Sequence, residues 1–91
     1  MAGLEPSYSP QAAAALDALE NGTDEKLLSA VCDAIDLIRD HPGDRRARAE
    51  QLRTAAGTPM WKVTVRTSAD DWVVLWWPRD DIADIYYIGH L

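Results

Sequence analysis

The spacing of apolar residues changes period once along the chain. From residue 60 onward it is close to two: Trp61, Val63 and Val65 alternate with Lys62, Thr64 and Arg66. An almost unbroken apolar run over residues 72–77 follows, and then Ile82, Ile85, Tyr86, Tyr87 and Ile88. Short runs rich in Val, Ile, Trp and Tyr, parted by Ser68-Ala69-Asp70 and by Pro78-Arg79-Asp80-Asp81, predict a three-stranded antiparallel meander.

Upstream the period is helical. Ser9-Pro10 is a start signal, with Ser9 free to cap a backbone N–H and Pro10 losing nothing at the first position. Ala12, Leu16 and Leu19 form one stripe, and Asn21-Gly22 predicts an end through a left-handed glycine. Thr23 opens a second helix with Asp24 and Glu25 in its first turn. Leu27, Leu28, Val31, Ala34, Ile35 and Ile38 recur at intervals of three and four, and His41-Pro42-Gly43 stops the run. Residues 3–8, broken by Pro6, predict an edge strand or a lead-in. Residues 44–56 hold Leu52 as almost their sole large apolar side chain and read as a short polar helix capped by Asp44, before Gly57-Thr58-Pro59 turns the chain. The predicted class is α+β: one domain over residues 1–91, two N-terminal helices on one face of a C-terminal antiparallel sheet of three to four strands.

Charge refines this picture. The net charge of −6 argues against a nucleic-acid partner, because phosphate contacts require Lys and Arg. Residues 1–40, however, hold eight acids against Lys26 and Arg39, while Arg45, Arg46, Arg48, Arg53, Lys62 and Arg66 face only Glu50 between them. That basic middle is either a solvated face or a surface for an anionic partner. A leader and a long apolar run are both missing from the sequence, which predicts a cytoplasmic protein without a membrane partner. The single Cys32 borders the apolar stripe and reads as a half-buried structural thiol. His41 reads as a helix-end residue, and the pairs Asp70-Asp71 and Asp80-Asp81 as turn formers. No ligand spacing, phosphate loop or nucleophile motif occurs, so neither metal nor cofactor is expected.

Two helices, a basic segment with Leu52-Arg53, the strand at 61–66, the aromatic-flanked strand at 72–77 and the closing Tyr87-Ile88-Gly89-His90 resemble the RelE/ParE superfamily of toxins from bacterial toxin–antitoxin pairs. Residues 7–19 also look like the family's opening, where an edge strand runs into the first helix. The resemblance covers most of the chain. It implies a twisted antiparallel sheet with two helices on one face, a concave surface on the other, and a cognate antitoxin as partner. For nuclease members it implies metal-independent cleavage of mRNA on the ribosome, with Lys and Arg of the sheet stabilising transition-state charge. Lys62 then falls at a family basic position and Arg66 near another. The family's arginine on the next strand would fall at Val73, and a further basic residue at His90 or Leu91, so this chain departs from the pattern at both.

Two readings follow from the resemblance. As a ribosome-dependent endoribonuclease, the chain would use Lys62 and Arg66 on phosphate and His90 as proton donor, with Arg45, Arg46, Arg48, Arg53, Trp77 and Tyr87 binding RNA or a partner. Alternatively it is a non-catalytic or weakly catalytic relative that binds a protein, whether a gyrase-type target, an antitoxin or another. The surface would be the concave side, where Val73, Leu75, Trp77, Ile85, Tyr87 and Gly89 would flank Lys62, Thr64 and Arg66. An unrelated small interaction domain is the third option, and self-pairing stays open.

Overall fold

The computed structural model describes residues 3–67 and 71–90. A strand, β1 (Glu5–Tyr8), leads into helices α1 (Pro10–Glu20) and α2 (Glu25–Asp40). A meander of β2 (Glu50–Arg53), β3 (Pro59–Val65), β4 (Trp72–Arg79) and β5 (Ile82–Gly89) follows. The strand order is β1-β5-β4-β3-β2, with β1 parallel to β5 and every other pair antiparallel. The class is therefore α+β, but the sheet is five-stranded and mixed. Its first strand precedes the helices, so the sheet is not wholly C-terminal. Among the described residues no helix is long and apolar enough to cross a membrane.

The helix starts follow from local chemistry. Ser9 Oγ accepts from the Ala12 N–H at 3.1 Å and donates to the Tyr86 carbonyl at 2.6 Å, so one hydroxyl caps α1 and ties it to β5. The α1 end differs from expectation: Asn21 stays right-handed, and Gly22 is not among the residues with positive φ. The orphan carbonyls are met instead by Asn21 N–H on Asp17 and Gly22 N–H on Leu19, at 3.0 and 3.2 Å. Asp24, rather than Thr23, caps α2 by accepting from the Leu27 N–H at 3.0 Å.

Leu27, Val31, Ala34, Ile35 and Ile38 bury one face of α2 against Val63, Val65, Val74, Trp76, Ile85 and Ile88 of the sheet. Burying these branched and aromatic side chains supplies the main driving force for folding, roughly 1.5–3 kcal/mol each. On the helix-free side lies a second, smaller apolar cluster of Met60, Val73 and Leu75, flanked by Leu52, Trp77 and Tyr87.

Residues 44–56 do not form the expected helix. The Asp44 carboxylate accepts from the Arg46 N–H at 2.8 Å, and i to i+3 bonds from Ala47 and Arg48 fold the segment into successive turns. Arg53, Leu52, Gln51 and Glu50 then pair with residues 59–62 as the edge strand β2. Leu52 sits opposite Met60, which gives this otherwise polar strand one apolar contact on the sheet.

Between β4 and β5 the register slips. Leu75 pairs with Tyr87 but Trp76 pairs with Ile85, so Tyr86 is an extra residue in a β-bulge. The slip corrects one expectation: Ile85 does not face the helix-free side but is 1 % exposed in the helix-side core.

Candidate functional site on the helix-free sheet face

Pairing places Lys62 beside Leu75 and Thr64 beside Val73 on β3 and β4, and Tyr87 and Gly89 across from Leu75 and Val73 on β5. Because side chains alternate along a strand, these residues share the face turned away from the helices. The bulge adds Tyr86, which is 47 % exposed. An apolar recess of about 380 Å³ opens here, with Leu52 and Leu75 as its floor and Tyr86 and Tyr87 on one side. Arg53, Thr54 and His90 form the rim.

Three residues named from sequence, Arg53, Tyr87 and His90, thus come together. The Tyr87 hydroxyl donates to the His90 carbonyl, and the His90 ring rests 5.1 Å from Trp72. Gly89 has φ +153°, and a Cβ there would lie 2.9 Å from the Tyr87 hydroxyl. A side chain at this position would be strained by the backbone angle and would have to displace the tyrosine hydroxyl.

The remaining candidates are dispersed. Lys62 lies on this face but its ammonium sits 3.1 Å from the Glu50 carboxylate. Arg66 follows the end of β3, pairs with Asp71 at 3.3 Å and borders a separate recess with Asp24, Lys26 and Leu27 at the start of α2. The expected grouping of Lys62 with Arg66 is therefore looser than the alternation implied, since regular strand geometry ends at Val65. Trp77, half-buried, flanks the second cluster, and its ring stacks on Trp61 at 5.7 Å.

Of the basic segment, Arg46 is held by Asp44 at 3.1 Å, and this contact with the Arg46 backbone bond keeps the Asp44 carboxyl down at about 2. Arg48 donates to the Pro42 carbonyl at 2.6 Å, and its guanidinium lies 5.6 and 5.5 Å from the Trp61 and Trp76 rings. With Trp76 Nε1 donating to the Ala47 carbonyl at 2.9 Å, Arg48 fastens the turn segment to the sheet. The Arg45 side chain is exposed and makes no ion pair or side-chain hydrogen bond among the described residues, while its carbonyl accepts from the Arg48 N–H. Arg45 and Arg46 border one recess together with Asp44 and Ala49, while Arg48 lies apart over the two indoles.

Cys32 is exposed, not half-buried, in a shallow groove with Tyr8 and Leu28. Partial desolvation and the nearby Asp36, Glu20 and Asp33 raise its pKa, which disfavours the nucleophilic thiolate. No set of three or more His, Cys, Asp or Glu among the described residues is placed to hold a metal ion. Asp80 takes φ 55° in the two-residue turn before β5, as a turn former should. Asp70 of the other acid pair, and Leu91, lie outside the described residues.

Sequence reasoning missed Tyr86 and the floor residue Leu52. Tyr86 reaches this face because Ile85 and Ile88, three apart, both join the helix-side core, which the bulge between them allows. Comparison of the chain with family models, with curated proteins and with solved structures returned no match.

Proposed function

We propose that the chain is a toxin-like protein of the RelE/ParE type, partnered by an antitoxin, that acts by binding a protein through its helix-free sheet face. The observation carrying this reading is the composition of that face. It presents a recess floored by Leu52 and Leu75 and flanked by two tyrosines, while its central cation is already paired with Glu50. Cations that stabilise a phosphoryl-type transition state must be aimed at the developing charge and unspent. Lys62, Arg46 and Arg66 are each engaged by a carboxylate. An apolar recess beside a second apolar cluster suits a protein side chain better.

The family reading draws support from the element order. An edge strand runs straight into α1, two helices cover one face, and an antiparallel meander supplies the other. Cleavage of RNA is the second reading, favoured by one observation: Arg53, Tyr87 and His90 border the same recess. Primer-extension mapping of messages in a translating bacterial extract separates the two. The binding reading expects intact messages after addition of the purified chain. Cleavage that disappears in Lys62→Ala or His90→Gln would overturn it in favour of the nuclease.

A further inference from the structure

The recess, not the sheet face as a whole, has features that specify an occupant. The bulge sets two consecutive tyrosines at its edge, Tyr86 and Tyr87, where an unbroken strand would send one of them to the helix side. Its walls are almost wholly apolar. At its border Arg53 holds no carboxylate, a trait it shares with Arg45 of another recess, whereas Arg39, Arg46 and Arg66 are each ion-paired. The Arg53 guanidinium donates to the neutral Gly57 carbonyl, at 2.9 Å. Among the described residues Arg53 has no acidic partner.

We infer that the recess is an anchor site for one aromatic side chain of a partner protein, presented next to a carboxylate that pairs with Arg53. This deepens the proposed function and rests on it. The apolar floor and the tyrosine rings favour a flat, hydrophobic group, since aromatic pairs gain from offset or edge-to-face contact. The unspent guanidinium favours a carboxylate, for which its planar fork is shaped. Charge narrows the choice: the chain as a whole is acidic, so an acidic segment is drawn to the few places where a cation such as Arg53 has no carboxylate partner. A nucleobase would satisfy the rings equally well. The net charge of −6 and the single unspent cation at the rim count against a phosphate chain as the occupant.

Indole-3-acetate joins a flat aromatic group to a carboxylate and serves as the probe. It is titrated into the 15N-labelled full chain, with tryptamine and uridine monophosphate in parallel. The expected result is saturable shifts confined to amides around residues 52–54, 75 and 86–90, with a Kd on the order of 1 mM for so small a ligand. Tyr86→Ala and Arg53→Gln each weaken binding about fivefold or more, Tyr86→Phe retains it, and the remote Lys26→Gln leaves it unchanged. Tryptamine, with the opposite charge, binds about fivefold more weakly or not at all. The inference is overturned by absence of saturable shifts, by equal binding of tryptamine, or by tighter binding of uridine monophosphate, which would make this a base site. Probe binding without any effect of the chain in cells would remove the proposed function alone. A cellular effect that needs the sheet face, without probe binding, would remove this inference alone.

Discussion

The Lys62 ammonium lies 3.1 Å from the Glu50 carboxylate, and the two residues are direct register partners across the β2–β3 pairing. The side chains are 20 % and 60 % exposed, so the pair sits at the wet edge of the sheet face. The basic residue expected to meet RNA therefore has a carboxylate as its partner in the free chain. The short strand that carries Glu50 supplies the countercharge.

A double-mutant cycle of Lys62→Ala and Glu50→Ala measures that pairing. Exposure screens it, so the expected coupling is about 0.2–1 kcal/mol in urea denaturation, shrinking as salt is added. Coupling of zero at low salt would mean that the pair adds nothing to stability.

Arg48 is expected to matter for stability far more than its neighbours. Arg48→Ala removes the contacts with Trp61 and Trp76 and the bond to Pro42, at a cost of about 1–3 kcal/mol. Arg48→Lys keeps the charge but not the flat fork, and should recover less than half of the loss. Arg45→Ala, on an exposed side chain, should stay within about 0.5 kcal/mol of the parent. Chemical denaturation followed by tryptophan fluorescence checks all three.

Gly89→Ala places a methyl group 2.9 Å from the Tyr87 hydroxyl at a φ of +153°. The expected destabilisation is about 1–3 kcal/mol. Adding Tyr87→Phe removes the oxygen that the methyl group meets and should return part of that loss, leaving the backbone strain. A double variant no better than Gly89→Ala alone would show that strain is the whole effect.

Acid should weaken the fold through its aspartates. The Asp44 carboxyl is held at about 2 against an ordinary 3.8, mainly by its side-chain bond to Arg46. Arg39 and Arg79 lower Asp40 and Asp84 in the same way. A depressed folded value means that the stabilisation is complete above about 3.8 and is lost as pH falls through about 2. Asp44→Asn should therefore flatten the decline in stability between pH 4 and pH 2, roughly the interval those two values bound, in a series of denaturation curves.

Much of the fold could be read from residue order because its signals are local. Ser9-Pro10, the α2 stripe and the Val-rich strands each declare themselves within a few residues. What escaped was set by distant partners. Glu50 to Arg53 becomes a strand because residues 59–62 accept it, with Leu52 opposite Met60, although its own side chains argue for a polar turn or helix. Tyr86 joins the helix-free face because Trp76 aligns with Ile85, a register that only the packed sheet fixes. Arg48, expected to bind RNA or a partner, lies over two indoles, a contact that nothing in its neighbours in sequence announces. The site was half legible: Arg53, Tyr87 and His90 were named, but the pairing of Lys62 with Glu50 and the separation of Arg66 were not.

The growth of bacteria induced to express the chain provides the most direct test of whether the tyrosine-flanked recess, rather than the basic residues, is the working surface. Three proteins are compared: the parent, the Tyr86→Ala, Tyr87→Ala double variant, and the Lys62→Ala, Arg66→Ala double variant, with folding of each checked by circular dichroism. The expected result is arrest by the parent and by the basic-residue variant, and normal growth with the tyrosine variant. Arrest that survives loss of both tyrosines but not loss of Lys62 and Arg66, or no arrest by the parent, would contradict the account.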